Sequence, residues 1–350
     1  MTTTVVANAN ANPLGRFSQF PRASLCHAPT PLEAMPNLSA IVAGAQLFIK
    51  RDDCTGLAMG GNKVRKLEYY MGEAVAQSAD TVLITGAVQS NFVRMAAAAA
   101  RKLNMDVHIQ LEERVALDDP AYRDSGNVLL DRLLGATIHS YPTGEDESGA
   151  DANLEAIADR LRQDGRKPYV IHLGLGHVPL GALGYIRGAA ELLEQMRDRG
   201  LTFDEIVVAS GSGSTHAGLL FGLRALSCNI PVTGVCVRRP REPQTERIKA
   251  HCKRIAATLD IPNPVPDADV VIIDDFLAPG YGQLNTPTIE ALKLVARSEA
   301  ILLDPVYTAK VMAGAIHRAR GRTPQERLLF VHTGGSPALF GYEPLLTSIL

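Results

Sequence analysis

The sequence predicts an α/β protein built from two doubly wound open-sheet units. Short β-rich runs alternate with helical patterns along most of its 350 residues. The runs are almost continuously apolar, as parallel strands are when helices cover both faces. They are more numerous than one open sheet takes up without splitting, so the chain divides.

Taken in order, QLFIK (46–50) is the first such run. TVLITGAV (81–88) and DVHIQLEE (106–113) enclose the helical SNFVRMAAAAARKL (90–103). NVLLDRLLG (127–135), apolar at helical spacing, precedes ATIHSYP (136–142). KPYVIHLG (167–174) leads into the long amphipathic GALGYIRGAAELLEQMRDRG (181–200). DEIVVASG (204–211), PVTGVCVRR (231–239), DVVIIDDF (269–276) and RLLFVHTGG (327–335) complete the strands, with TPTIEALKLVARSE (286–299) as a helix before the last. The acidic, small-residue stretch 143–152 reads as a surface loop. Residues 1–15 have neither a basic n-region nor an apolar core, so they read as a disordered tail and not a signal peptide.

A composition of 46% hydrophobic and 21% charged residues fits a soluble globular protein with a sizeable core. A net charge of −2 gives no reason to expect nucleic acid or an anionic membrane as partner. The uncharged run IVVASGSGSTHAGLLFGL carries too much Gly, Ser and Thr for a membrane span. Five scattered cysteines form neither a disulfide framework nor a zinc pattern, which fits the reducing cytoplasm. His177, His216 and His332 lie near strand ends without metal spacing, so no metal is expected.

Three strand-to-helix junctions carry small polar loops, where an α/β sheet binds its ligand. ASGSGSTHAG (209–218) is the most specific. Gly211 and Gly213 let backbone N–H groups approach a ligand, and Ser212, Ser214 and Thr215 add hydroxyls at a helix N-terminus. That is an anion site, most naturally for phosphate. Its GxGxxxxG spacing is neither the dinucleotide fingerprint nor a Walker loop. GAVQSNFVR (86–94) and HTGGSPALFGY (332–342) repeat the arrangement.

GGNKVRKLEYY (60–70) poses a different question. Lys63, Arg65 and Lys66 fall in the first turn of a helix that Asn62 is placed to cap, where the positive dipole end disfavours cations. Such a position lowers a lysine's pKa toward a usable amine. An amine of that kind and a phosphate loop together imply a phosphorylated aldehyde held as a Schiff base, which is pyridoxal 5'-phosphate. Lys63, directly after the glycines, is the better candidate; Arg65 and Lys66 read as ordinary helix cations.

IKRDDCTGLAMGGNKVRKLE, GAVQSNFVR, SGSGSTHAG, APGYGQLN, ILLDPVYTAKVMAG and HTGGSPALFGY, in that order, resemble the D-cysteine desulfhydrase and 1-aminocyclopropane-1-carboxylate deaminase family. The resemblance runs from about Arg16 to Tyr342. It implies the tryptophan-synthase-β type of fold (fold type II), with a small domain at 66–175 inserted into a large cofactor-binding domain made of 1–65 and 176–350. It also implies that Lys63 holds the cofactor, that Gly211, Ser212, Gly213, Ser214 and Thr215 hold its phosphate, and that Asn91 bonds its phenolic oxygen. Tyr307 would stack on the ring and Thr308 would face the ring nitrogen. Ser90, Asn91, Phe92 and Thr333 would meet the substrate, with Tyr281 facing it. The family is usually dimeric, so a homodimer is expected.

Within the family, deaminases resemble one another in carrying Glu after DPVY and Leu in the HxGG loop, where desulfhydrases carry hydroxyl residues and Thr. Thr308 and Thr333 therefore point to a desulfhydrase. A hydroxyl leaves the ring nitrogen largely neutral and favours prompt loss of a β-substituent, whereas a carboxylate deepens the electron sink. Phe92 departs from the pattern, since desulfhydrases have His there, and His177 stands in a loop that also differs. The expectation is a pyridoxal-phosphate lyase eliminating the β-substituent of a small amino acid, D-cysteine or a relative. A ring-opening deaminase, an L-cysteate sulfo-lyase and a non-catalytic cofactor carrier are the alternatives.

Overall fold

The structure, a computed structural model, describes residues 12–349. The chain runs β1 (Leu32–Ala34), α1 (Pro36–Val42), β2 (Gln46–Lys50), α2 (Lys63–Ala76), β3 (Thr81–Ala87), α3 (Asn91–Lys102) and β4 (Asp106–Glu112). It continues α4 (Pro120–Asp124), α5 (Gly126–Leu133), β5 (Thr137–Tyr141), α6 (Glu147–Gln163), β6 (Pro168–Ile171) and α7 (Leu180–Arg199). Then come β7 (Glu205–Ser210), α8 (Ser214–Ala225), β8 (Val232–Cys236), α9 (Arg241–Leu259), β9 (Val271–Ile273), α10 (Thr286–Glu299), α11 (Thr308–Arg320) and β10 (Arg327–Val331). Two short helices, α12 (Ala338–Gly341) and α13 (Glu343–Thr347), follow.

Two sheets form. One has the order β1-β2-β10-β7-β8-β9, the other β5-β4-β3-β6. Every pairing is parallel except β1 with β2, an antiparallel edge that the sequence reading did not anticipate. Three residues of LEA are too few to show a period. All seven residues of β3 are buried, as a central strand between two helical layers requires. The four-stranded sheet takes its strands from 81–171 and the six-stranded sheet from either side of that segment.

Two expectations need correction. Residues 147–152 are the first turns of α6 and not a loop, because Asp146 caps that helix by accepting the Gly149 N–H at 2.8 Å. Of the expected disordered tail, residues 1–11 lie outside the described residues. Residues 12–15 form a turn instead, with the Gly15 N–H on the Asn12 carbonyl at 2.9 Å and Leu14 packed against the core.

Candidate active site

Three polar junctions meet at the carboxyl ends of the strands and wall one cavity. At β3–α3, Ser90 caps the helix, its Oγ accepting the Val93 N–H at 3.3 Å, and Ser90, Asn91 and Phe92 border the cavity. At β7–α8, Gly211, Ser212 and Thr215 border it. Gly213 has φ +100°, and a Cβ there would meet the His251 ring at 2.7 Å, so the turn accepts glycine alone. At β10, Thr333 and Gly334 complete the wall. A Cβ on Gly334 would lie 2.6 Å from the Gly61 Cα, and the Asn62 N–H donates to the Thr333 carbonyl at 3.0 Å. The GGN segment is thereby laid directly on the HTGG loop.

The three cations of the first turn of α2 have three separate employments. Lys63 borders the cavity, and its Nζ donates to Asn62 Oδ1 at 3.1 Å. Burial pushes its ammonium down to about 8, against the opposing pull of Asp304. Arg65 is buried in an ion-pair cluster, with Asp52 and Glu191 each at 2.8 Å, and reads as structural. Lys66, wholly buried, donates to Ser214 Oγ at 2.7 Å on the β7–α8 loop, where the sequence predicts phosphate binding. Burial, then the neighbouring Lys63, hold its pKa well below the usual lysine range. Reading Lys66 as an ordinary helix cation was therefore wrong. Its carbon stem follows the apolar interior and delivers the ammonium 148 residues away in sequence, which local spacing cannot reveal.

Asn62 also differs from expectation. Its side chain makes no cap bond; it bridges, accepting from Lys63 and donating through Nδ2 to Thr215 Oγ1 at 3.0 Å. Around the phosphate loop, Arg247 Nε and His251 Nε2 reach the Ser212 carbonyl at 2.9 and 3.0 Å. Asn91 Oδ1 accepts from Asn127 Nδ2 at 3.1 Å, which fixes its amide.

Tyr281 and Tyr307 border the cavity with their hydroxyls 2.6 Å apart, and Lys63 Nζ lies 5.7 Å from the Tyr307 ring centre. Burial raises both phenol pKa values. Three expected site residues sit behind the wall and not on it. Gly213 and Ser214 shape the phosphate loop from within. Thr308 is fully buried; its hydroxyl donates to Asp304 Oδ1 at 2.7 Å and accepts the Asp304 N–H at 2.6 Å. His216 and His332 are buried structural groups, the first on Ser210 Oγ and the second on the Leu302 carbonyl. His177 stacks on His172 beside Asp151, with ring centres 3.8 Å apart. The ligand atoms of these three side chains lie within 4.8 Å of one another, a grouping that the spacing of the histidines in the sequence does not disclose.

The pattern of the pyridoxal-phosphate dependent enzymes matches residues 23–334. The chain belongs to that family. It is 42% identical to the D-cysteine desulfhydrases of Salmonella typhi and Klebsiella pneumoniae, over 95% of this chain and 99% of theirs. Among solved structures, an ACC deaminase homologue superposes with a TM-score of 0.84 at 37% identity, covering 95% of this chain and 98% of that one. The diaminopropionate ammonia lyase of Escherichia coli, at 16% identity and a TM-score of 0.67 (97% of this chain, 92% of that one), shares the fold. The fold is thus the fold-type-II architecture expected for pyridoxal-phosphate enzymes.

The donor set suits pyridoxal phosphate. Ser212 and Thr215 border the cavity at a helix N-terminus, the Lys66 ammonium backs the same loop through Ser214, and the Lys63 amine borders the cavity too. Among the described residues, no carboxylate borders the cavity to oppose that anion.

Proposed function

We propose that the protein is a D-cysteine desulfhydrase-like carbon–sulfur lyase, converting D-cysteine and water to pyruvate, hydrogen sulfide and ammonia. The observation that carries this reading is 42% identity to D-cysteine desulfhydrases along nearly the whole of both chains. Thr308 and Thr333 support the same branch.

When bound, pyridoxal phosphate supplies a Schiff-base carbon and a ring that withdraws electrons and acidifies the α-proton. The chain's residues do the rest. Lys63 Nζ, with a pKa near 8, is an amine able to take that proton at physiological pH. The N-terminus of α3, with Ser90 and Asn91, receives the substrate carboxylate. The phosphate loop and Lys66 anchor the cofactor, and Tyr307 packs on its ring. The Tyr281 and Tyr307 hydroxyls, joined by one hydrogen bond, border the space for the β-substituent.

We take residues 66–175 as a small domain inserted into 1–65 and 176–350. The strand content of the two sheets supports this division, although position 65/66 falls within α2 and not in a linker. Five free cysteines, and no described helix long and apolar enough to cross a membrane, accord with a cytoplasmic enzyme. We take it to work as a homodimer, which sedimentation would test.

A second reading, aminocyclopropane-carboxylate deaminase, is favoured by the ACC deaminase homologue among the solved structures. A side-by-side assay of D-cysteine and aminocyclopropane carboxylate separates them. Pyruvate and sulfide from D-cysteine support the lyase; keto-acid formation from the cyclopropane alone overturns it.

A further inference from the structure

Asp151 and Glu155 stand one turn apart on α6 and share a face of that helix. His172 leaves the end of β6 beside them, and His177 follows in the loop that leads to α7.

The four side chains interlock in a definite order. His172 Nε2 lies 2.9 Å from Glu155 Oε1, and an ionised carboxylate only accepts, so Nε2 carries the proton. In the neutral ring Nδ1 then turns a lone pair toward Asp151. That nitrogen is buried and has no hydrogen-bond partner among the described residues. Asp151 presents Oδ1 to His172 Nδ1 at 3.6 Å and Oδ2 to His177 Nε2 at 3.7 Å. Both separations are too long for a hydrogen bond. They are close to the edge of a coordination tetrahedron, about 3.4 Å for metal–ligand bonds near 2.1 Å. A proton would satisfy one histidine alone, whereas a metal ion serves both imidazoles and the carboxylate at once. A ligating histidine that gives its other N–H to a carboxylate is also the arrangement that fixes such a ring.

The two rings stack with planes 6° apart, so their lone pairs converge only when the stack opens. His177 has room to turn, being 44% exposed on the loop, while Glu155 holds His172. Arg254 ties down the backbone of that loop, donating to the carbonyls of Gly176 and His177 at 3.1 and 2.7 Å, which leaves the His177 side chain uncommitted. Gly174 keeps the space clear, since a Cβ there would come within 3.2 Å of Asp151 Oδ2.

We propose that Asp151, His172 and His177 bind a divalent transition-metal ion of the zinc class, with Glu155 bracing His172 from behind. Two imidazoles and a carboxylate suit zinc and its neighbours, whereas magnesium and calcium take oxygen ligands. Three protein ligands leave a position for water. The ion would tie α6 to the segment that carries Leu173 onto the active-site wall, so it would act on that loop and not in the reaction.

The test titrates zinc chloride calorimetrically into holoenzyme freed of metal by chelation and dialysis, beside Asp151→Asn and His177→Gln. His177 stands on an exposed loop, so its variant probes ligation with the fold intact. The wild type should take up one zinc ion per chain, and each variant should bind it at least about tenfold more weakly. Cobalt(II) in place of zinc should give visible bands without a thiolate charge-transfer band, which separates this site from the free cysteines. No stoichiometric uptake overturns the site and leaves the cluster as an imidazolium between two carboxylates. An affinity that either substitution leaves unchanged, or a thiolate band with cobalt, also overturns it and puts the metal elsewhere.

Discussion

The Asn62 amide donates to Thr215 Oγ1 at 3.0 Å, joining the lysine segment to the phosphate loop across 153 positions of sequence. The same side chain accepts from Lys63 Nζ, so one residue sets the distance between the two ends of the cofactor site. Asn62→Ala removes both bonds, each worth about 0.5–1.5 kcal/mol. Titration of the apoprotein with pyridoxal phosphate should show affinity lowered about five- to 150-fold. Unchanged affinity would mean the bridge only orders the empty site.

Borohydride reduction of the holoenzyme should fix the cofactor to Lys63, and peptide mapping reads the position. Lys63→Ala should fold, bind pyridoxal phosphate without covalent attachment, and lack turnover. Attack on the aldehyde needs the neutral amine. Since burial lowers this lysine to about 8, reconstitution should accelerate as pH rises and level off above about 8. An inflection near the ordinary lysine value, or label on Lys66, contradicts the assignment.

Much of this was legible in the sequence for a physical reason. Parallel strands buried on both faces are continuous apolar runs, so β3 and β7 stand out unaided. The glycines of the phosphate loop mark a backbone that no Cβ permits, and Gly213 bears this out. What stayed hidden depends on distant partners. Arg65 and Lys66 are adjacent, yet one enters an ion-pair cluster and the other the phosphate loop, because a turn of 100° per residue sends them to different neighbours. Asn62 carries every local mark of a cap, and tertiary contacts took its side chain elsewhere. The exclusion of Thr308 from the cavity wall follows from its bonds to Asp304, the first residue of the same DPVY motif, a contact that the motif alone does not disclose.

Gly213→Val should weaken cofactor binding more than it weakens the fold. The position has φ +100° and faces the His251 ring, so a branched side chain must displace the loop whose N–H groups are proposed to receive phosphate. Losing one or two charged hydrogen bonds lowers affinity by on the order of 1.5–3 kcal/mol each. Calorimetric titration is the readout, with an unchanged Kd marking 211–215 as a turn only.

Asp131 is fully buried without a hydrogen-bond partner among the described residues, and burial pushes its carboxyl up to about 8 despite the opposing charge of Arg94. A folded pKa above the unfolded one means that the native state binds the extra proton. Stability should therefore fall as pH rises from about 4 to 8. Asp131→Asn removes that titration and should flatten the decline, by an amount on the order of a few kcal/mol at pH 8. Urea denaturation at pH 5 and pH 8 gives the comparison; parallel curves for the two proteins would exclude Asp131 as the source.

Thr308 bears on reaction type, and its surroundings restrict what can replace it. The hydroxyl gives its proton to Asp304 Oδ1 and accepts the Asp304 N–H, leaving one lone pair for anything else. Asp304 is itself fully buried, its carboxyl raised by burial although the N–H groups of 306, 307 and 308 bond to it. Thr308→Glu would set a second carboxylate against the first in the same buried setting. The substitution should destabilise the protein by about 3–5 kcal/mol, the scale of an uncompensated buried charge. Adding Asp304→Asn removes one of the two charges, so the double variant should regain at least half of that loss. A double-mutant cycle in urea measures the coupling directly. Equal penalties for Thr308→Glu with and without Asp304 would show that the two side chains do not meet. A strong coupling would mean that a carboxylate at 308 becomes tolerable only when position 304 changes with it, so that activity on aminocyclopropane carboxylate should be sought in the double variant and not in Thr308→Glu alone.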